Sequence, residues 1–386
     1  WSSDVCSSDL PQGSAVGHAS AAAVEAALVP DAFPDAGNDW LLSAVPQQGL
    51  PGSDLALLAR VGRCDPGSLE QYTSSGGYAG LRRSVKIGPE ATVAEVTASG
   101  IVGRGGAAFP TGRKWDAVAK AVDAEKYVVC NADESEPGTF KDRVVMEGDP
   151  FALVEGMTIA GLAVGAAKGF LYIRGEYPLA IRRMAAALDA ARAGNLLGGN
   201  ILGSGRSFDI EIRRGAGAYI CGEETALFNS IEGQRGEPRN KPPFPVQHGL
   251  FNKPTVINNV ETLANIPLVL REGGAAIGAL GTSGSKGRKL FCVSGNVTHP
   301  GVYEFVFGIT LRELIEKAGG VPGRRSVQAI LLGGAAGAFV GPEQLDVPLT
   351  FEGTRAIGAT LGSGVVMVFD ETVDLGDILK IGRAHV

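Results

Sequence analysis

Short apolar runs that stop at charged or glycine-rich turns recur through the middle of the chain, and they alternate with longer runs of helical period. Residues 127–130, 169–173 and 208–212 are short and rich in β-branched and aromatic side chains, so they read as strands. Residues 151–166 and 179–191 read as the helices between them. Parallel neighbours need a crossover long enough to hold a helix, so this order predicts an α/β unit with a mostly parallel sheet. The boundaries carry their own signals: Asp149 followed by Pro150 marks a helix start, and Gly194 marks a helix end.

Beyond a glycine- and serine-rich hinge at 278–287 the pattern changes. Strands are expected at 290–294 and 301–305, and the capping box Thr310-Leu-Arg-Glu313 opens a helix that ends at Gly319-Gly320. Further strands follow at 329–332 and 365–369. Strands around one helix in so short a stretch predict a small α+β, ubiquitin-like (β-grasp) domain. The 386 residues suffice for two or three such units.

Composition narrows the function classes. A formal net charge of -6 with no Lys/Arg block argues against nucleic acid or an anionic membrane surface as partner. Residues 151–167 are apolar but short for a membrane span and contain Glu155, so a buried helix is expected. Cys6, Cys64, Cys130, Cys221 and Cys292 are scattered, odd in number and form no CxxC pair, which points to a reducing, cytosolic compartment. The 56 glycines show no collagen-like period and suit tight turns and close backbone approach to a ligand.

Five segments carry candidate chemistry. Gly103-Arg-Gly-Gly-Ala-Ala-Phe-Pro-Thr-Gly-Arg-Lys-Trp115 begins like a dinucleotide fingerprint, yet residues 92–99 before it read as helix, and Gly112 is followed by Arg113-Lys114-Trp115, which fails the Walker A pattern. As a phosphate cradle it still works, since glycines free N–H groups and Lys114 adds a cation; a structural turn is the plain alternative. Asn131-Ala-Asp-Glu-Ser-Glu-Pro-Gly138 leaves a strand at its carboxyl end, where open α/β sheets bind ligands, and its crowded carboxylates call for donors. Gly215-Ala-Gly-Ala-Tyr-Ile-Cys-Gly-Glu-Glu-Thr-Ala226 runs into a helix with Glu223 and Glu224 in the first turn, where two acids also simply complement the helix dipole. Lys241-Pro-Pro-Phe-Pro245 presents an aromatic, and Val256-Ile-Asn-Asn-Val-Glu-Thr262 offers amides to phosphate or sugar oxygens.

In this order the five segments resemble the flavoprotein subunit of respiratory complex I and its relatives, the NAD-linked formate dehydrogenase β subunit and the diaphorase subunit of bidirectional hydrogenases. The resemblance spans about residues 81–375, and the β-grasp segment is similar to the SLBB domain of that family. It implies a Rossmann-like FMN/NADH-binding domain at 69–279, an SLBB domain at 280–373, and at 374–380 the start of a helical [4Fe–4S] domain that is otherwise missing. Residues 11–68 are expected to be a linker or truncated upstream segment, and 1–10 and 381–386 non-native scars.

Carried over by position, the resemblance implies that Gly103, Gly105, Gly106 and Ala107 wrap FMN. Asn258, Asn259 and Thr262 complete its phosphate and ribityl site, Lys114, Asn131 and Asp133 face the isoalloxazine, and Glu134, Gly222 and Glu223 add to that site. Phe109 and Phe244 would stack on the NADH adenine, while Glu136, Tyr219, Glu224 and Lys241, with Glu223 at the border, line the nicotinamide and ribose pocket. Ala108 replaces a usual glycine, which is tolerable if its φ is negative, and Ala117 stands where some relatives have a second aromatic. Glu136 and Glu224 are expected to orient the rings, and no general base is needed, because hydride passes from NADH to flavin by proximity.

The same resemblance implies a [4Fe–4S] cluster in the full-length protein only, since no cysteine follows Cys292, and therefore no metal ligands in this chain. Expected partners are a 2Fe–2S thioredoxin-like subunit and other peripheral-arm subunits on the cytoplasmic face of the bacterial plasma membrane, without direct membrane contact. Formate dehydrogenase or hydrogenase assembly is the rival context, and a non-catalytic ligand-binding protein the rival class.

Overall fold

The computed structural model describes residues 55–378. The proposed scars at 1–10 and 381–386, the linker up to residue 54 and the last residues of the 374–380 segment lie outside the described residues. A helical turn does begin at Leu375.

Helices α1 (Leu69–Ser74), α2 (Ala79–Ile87), α3 (Pro89–Ala98) and α4 (Thr111–Ala119) precede the first strand. Then follow β1 (Tyr127–Ala132), α5 (Lys141–Gly148), α6 (Pro150–Val164), β2 (Lys168–Ile173), α7 (Pro178–Ala193), β3 (Asp209–Arg214), α8 (Glu224–Ile231), β4 (Thr255–Asn259), α9 (Val260–Glu272) and α10 (Gly274–Ala279). The four strands form a wholly parallel sheet in the order β3-β2-β1-β4. The chain fills one side of β1 with β2 and β3 and then crosses to the other side for β4. Such a switch opens a crevice at the carboxyl ends of β1 and β4.

Every residue of α6 is buried, as suits a helix that is apolar all round. Its Gly156 is required by packing, because a Cβ there would sit 2.1 Å from the Leu263 carbonyl oxygen of α9. On the opposite face of the sheet, Leu227, Phe228 and Ile231 of α8 pack with Cys221 and Leu250 on Val129, Phe170, Tyr172 and Ile257. Asp149 stands at the start of α6 as expected, but its carboxylate pairs with Arg60 at 2.7 Å and not with the helix N–H groups.

The second region holds β5 (Arg288–Gly295), β6 (Gly301–Val306), α11 (Leu311–Lys317), β7 (Val327–Leu332), β8 (Ala338–Val340), α12 (Phe351–Ala356) and β9 (Val365–Asp370). The mixed sheet runs β6-β5-β9-β7-β8, with β5 and β9 parallel at its centre. Its core joins Phe291, Val293, Tyr303, Leu311, Leu314, Ile330 and Val368. The capping box is present, with Thr310 accepting from Glu313 N–H and the Glu313 carboxylate accepting from Thr310 N–H.

Two sequence expectations change here. The segment at 278–287 is pinned, not a loose hinge: Gly278 belongs to α10, and Ser285 and Thr282 both donate to the Glu352 carboxylate. Residues 55–61, placed with the linker, are packed: Leu58 and Val61 are buried, and the Glu304 carboxylate accepts from the N–H groups of Ala56, Leu57 and Leu58.

Candidate functional site

The glycine loop before α4 is held from below. Arg104 N–H donates to Thr262 Oγ1 at 2.9 Å, Trp115 Nε1 donates to Asn258 Oδ1 at 2.9 Å, and Gly103 N–H donates to the Phe109 carbonyl at 2.9 Å. Thr262 and Asn258 are buried, so both side chains act here as supports for the loop. A Cβ at Gly105 would come within 3.2 Å of Asn259 Cβ, and Gly106 sits at φ 121°, a conformation closed to other residues. Ala108 also has positive φ, 51°. The expectation of negative φ there is wrong, and alanine in the left-handed region costs about 1 kcal/mol.

The acidic loop starts later than the sequence pattern placed it, because β1 continues through Asn131 and Ala132. Asn131 Nδ2 donates to the Gly222 carbonyl at 2.8 Å, joining β1 to the turn before α8. Ser135 Oγ donates to Asp133 Oδ1 at 2.9 Å, whereas Asp133 Oδ2 is buried without a hydrogen-bond partner. Burial pushes the Asp133 carboxyl up to about 6. Gly138, at φ 82°, lets the loop close on β9, since a Cβ there would lie 2.8 Å from Val365 Cγ1.

Glu134 is a correction. Its carboxylate turns inward and accepts from Asp142 N–H at 2.8 Å, Arg143 N–H at 3.0 Å and Tyr177 hydroxyl at 3.2 Å, so it caps α5. Burial, reinforced by the nearby Asp142, raises it to about 7. Glu136 points the other way, accepting from Tyr219 hydroxyl at 2.7 Å and from the Ala335 N–H of the second region.

Glu223 is the N-cap of α8, not a first-turn residue: it accepts from Thr225 N–H at 2.8 Å and Ala226 N–H at 2.9 Å. Lys241 Nζ lies 2.9 Å from Glu223 and 2.7 Å from Glu224, and these two acids outweigh burial to raise its pKa. Lys114 Nζ donates to the Ile257 carbonyl at 2.9 Å and stands 3.8 Å from Glu224; burial lowers its pKa. The motifs after β1, before α8 and after Lys241 thus meet through one chain of charges.

Between them opens a cleft of about 310 Å³, lined among others by Gly105, Asn131, Asp133, Glu136, Tyr219 and Asn259. Phe109, Tyr219 and Phe244 are 47%, 52% and 53% exposed. Large aromatics left open beside a polar cleft are offered to a ligand, not to a core. Ala107, Lys114, Lys241 and Phe244 stand outside the lining of the cleft. Asp142, Thr139 and Ser363, which do line it, escaped sequence reading. Ser363 lies between Gly362 and Gly364 in a different domain, and no local pattern ties it to β1.

The cleft suits a flavin nucleotide. Asp133 Oδ2 needs a donor, which a flavin ring N–H supplies, and the Gly103–Ala107 backbone is bare enough for close approach.

The family model described as "Nuo51 FMN-binding domain" matches residues 96–268, and the SLBB domain model matches 290–335. In Rhizobium meliloti, the second of two F-type subunits of NADH-quinone oxidoreductase is 49% identical over 319 residues, covering 82% of this chain and 76% of that protein. The chain belongs to the Nuo51 family of NADH-quinone oxidoreductase flavoproteins. The HndC component of the NADP-reducing hydrogenase of Solidesulfovibrio fructosivorans is 48% identical over 311 residues, 80% of this chain and 63% of its own length. Among solved structures, an air-oxidized NAD+-reducing [NiFe]-hydrogenase superposes with TM-score 0.70 at 41% identity, over 80% of this chain and 51% of that one. Membership of the Nuo51 family thus accounts for both the parallel-sheet FMN-binding domain and the SLBB domain that follows it. No helix among the described residues is long and apolar enough to cross a membrane.

Proposed function

We propose that this chain is the electron-input flavoprotein module of an NADH dehydrogenase, with FMN in the cleft and NAD(H) entering over it. The observation that carries the reading is the buried, unpartnered Asp133 oxygen at the mouth of β1, beside a glycine loop in which a side chain at Gly105 would crowd Asn259. When bound, FMN would take a hydride from NADH and give up its electrons singly.

The chain's own groups hold and orient. The Gly103, Gly105, Gly106 and Ala107 backbone, with Asn259 and Gly222 beside it, forms the flavin cradle, supported by Asn258 and Thr262. Asn131 and Asp133 offer an amide and a carboxylate to the ring edge, and Lys114 adds charge. Phe109 and Phe244 offer faces to an adenine, worth about 0.5–1.5 kcal/mol per stacked pair beyond burial. Glu136, Tyr219 and the Lys241–Glu223–Glu224 cluster supply acceptors and donors to ribose and carboxamide. No residue needs to move a proton on the nicotinamide.

Alone, the chain would pass electrons only to an artificial acceptor, since its scattered cysteines offer no Cys₄ set; among the described residues no group of His, Cys, Asp and Glu could hold a metal. In the assembled, cytoplasmic peripheral arm we expect a 2Fe–2S thioredoxin-like subunit as partner, and a [4Fe–4S] cluster in the longer protein. The similarity to HndC and to the NAD+-reducing hydrogenase keeps a hydrogenase setting as a second reading, which identification of the neighbouring subunit decides.

Reconstitution with FMN followed by an NADH:ferricyanide assay tests the proposal. The wild type should turn yellow and reduce ferricyanide, with Lys114→Ala and Glu224→Ala each losing about tenfold or more in kcat/KM. A chain that stays colourless and inactive would overturn it.

A further inference from the structure

One buried charge cluster is not used by the cofactor contacts above. Lys141, Glu261 and Lys289 are all fully buried and come from three separate elements: the start of α5, the first turn of α9 and β5 of the second region. Lys289 Nζ lies 2.8 Å from Glu261 Oε2 and donates to the Ser363 carbonyl at 2.7 Å and the Leu290 carbonyl at 3.1 Å. The same Glu261 oxygen accepts from Lys141 Nζ at 2.8 Å, while its other oxygen accepts from Leu290 N–H at 2.8 Å. Lys141 Nζ reaches Asp142 Oδ1 at 2.7 Å and Asn259 Oδ1 at 3.3 Å. Asn259 Nδ2 then donates to Asp142 Oδ2 at 2.5 Å.

The chain of contacts therefore runs from the second region to the floor of the cleft, because Asp142, Asn259 and Ser363 all line it. We propose that Lys289 is a positioning residue for the flavin site: through Glu261 and Lys141 it fixes the Asp142 carboxylate and the Asn259 amide, so the docked SLBB domain sets the cofactor's affinity and reduction potential. The inference rests on the reading of the cleft as an FMN site.

Stability alone is a weak reason for such a cluster, since well-packed apolar residues in place of a buried ion pair are often as stable or more so. Position explains it better. Charges in a dry interior act over distance with little screening. Lys141 and Lys289 balance Glu261 and Asp142; Arg104 beside Glu261 and Glu134 beside Lys141 are the other charged groups facing the cluster. Burial and Glu261 pull Lys289 in opposite directions, and burial wins, lowering it to about 8. Its charge is thus held on a narrow margin.

The sign of the effect follows from charge balance. Reduction adds negative charge to the flavin, so losing the Lys289 cation should disfavour the reduced form, and losing the Asp142 anion should favour it. The test is potentiometric titration of bound FMN, with flavin-fluorescence titration for affinity, in the wild type, Lys289→Met, Asp142→Asn and the control Glu304→Gln. Glu304 braces residues 56–58 on β6 and touches none of the cluster.

Lys289→Met should weaken FMN binding about tenfold and shift the reduced-to-oxidised affinity ratio about tenfold toward the oxidised form, near 30 mV for a two-electron couple. Asp142→Asn should shift the ratio the opposite way. Glu304→Gln should lower the melting temperature with the potential unchanged. Opposite signs cannot come from general loosening of the fold. Equal potentials in all four proteins would overturn the proposal, as would shifts of the same sign in Lys289→Met and Asp142→Asn. If Lys289→Met fails to fold, the Asp142→Asn shift decides alone. A wild type that takes up no FMN would instead sink the reading of the cleft.

Discussion

The parallel-sheet region and the mixed-sheet region draw on similar apolar residues but handle charge differently. In the mixed sheet the core from Phe291 to Val368 is wholly apolar, and its buried acids are satisfied: Glu304 by three N–H groups, Asp370 by Thr372 and Arg325. In the parallel sheet the carboxyl ends of β1 and β4 gather Asp133, Glu134, Asp142 and Glu261, and one oxygen of Asp133 is left without a partner. A buried polar atom without a partner costs about 1–3 kcal/mol. The first region accepts such a cost where a ligand can offset it; the second, as a packing unit, has no reason to.

Substitutions can break this contrast. The largest effect is expected in the mixed-sheet core, where Leu314→Ala should cost about 2–5 kcal/mol in chemical denaturation, since Leu314 is fully buried in α11. If α11 is only a packing element, FMN affinity measured well below the melting transition should change little.

Asp133→Asn should act in opposite directions on stability and on binding. The folded pKa of Asp133, about 6, lies above its unfolded value. Its contribution is therefore favourable below about pH 4 and lost as pH rises through 6. The apo variant should be more stable than wild type by about 1–2 kcal/mol at pH 7–8, a figure reduced for partial exposure, and level with it near pH 4. Thermal melts at both pH values, beside an FMN titration showing weaker binding, check this; a variant less stable at pH 8 would show that the carboxylate is already satisfied.

Smaller still is Thr310→Ala, which removes the cap of α11 and should cost about 1 kcal/mol without touching the cleft. The smallest effect belongs to Ala108→Gly. Relief of the left-handed strain, less the entropy glycine adds to the unfolded chain, should stabilise by about 0.5–1 kcal/mol. Unchanged melting there would mean that the loop relaxes around the alanine.

Much of this was legible in the chain itself. The two-fold and helical periods located the strands and helices, because burial of one face imposes them locally. The capping box at Thr310 was readable for the same reason: its four residues satisfy one another. Asn131, Asp133, Glu136, Glu223, Glu224 and Lys241 stood out because acids and glycines crowd where a strand ends.

What the sequence could not show is which way each group turns. Glu134 and Asp133 are neighbours, yet one caps α5 and the other is left open to the cleft. That choice depends on where α5 begins in space. The pairing of β4 with β1, which brings Asn259 beside Asn131, spans more than a hundred residues and leaves no local pattern. Asp142, Ser363 and Lys289 became visible only once the second region was docked on the first. By itself the sequence determined the elements and the kinds of chemistry available, since these depend on near neighbours; the tertiary structure decided which side chains are satisfied and which remain free for a ligand, because that depends on contacts between distant parts of the chain.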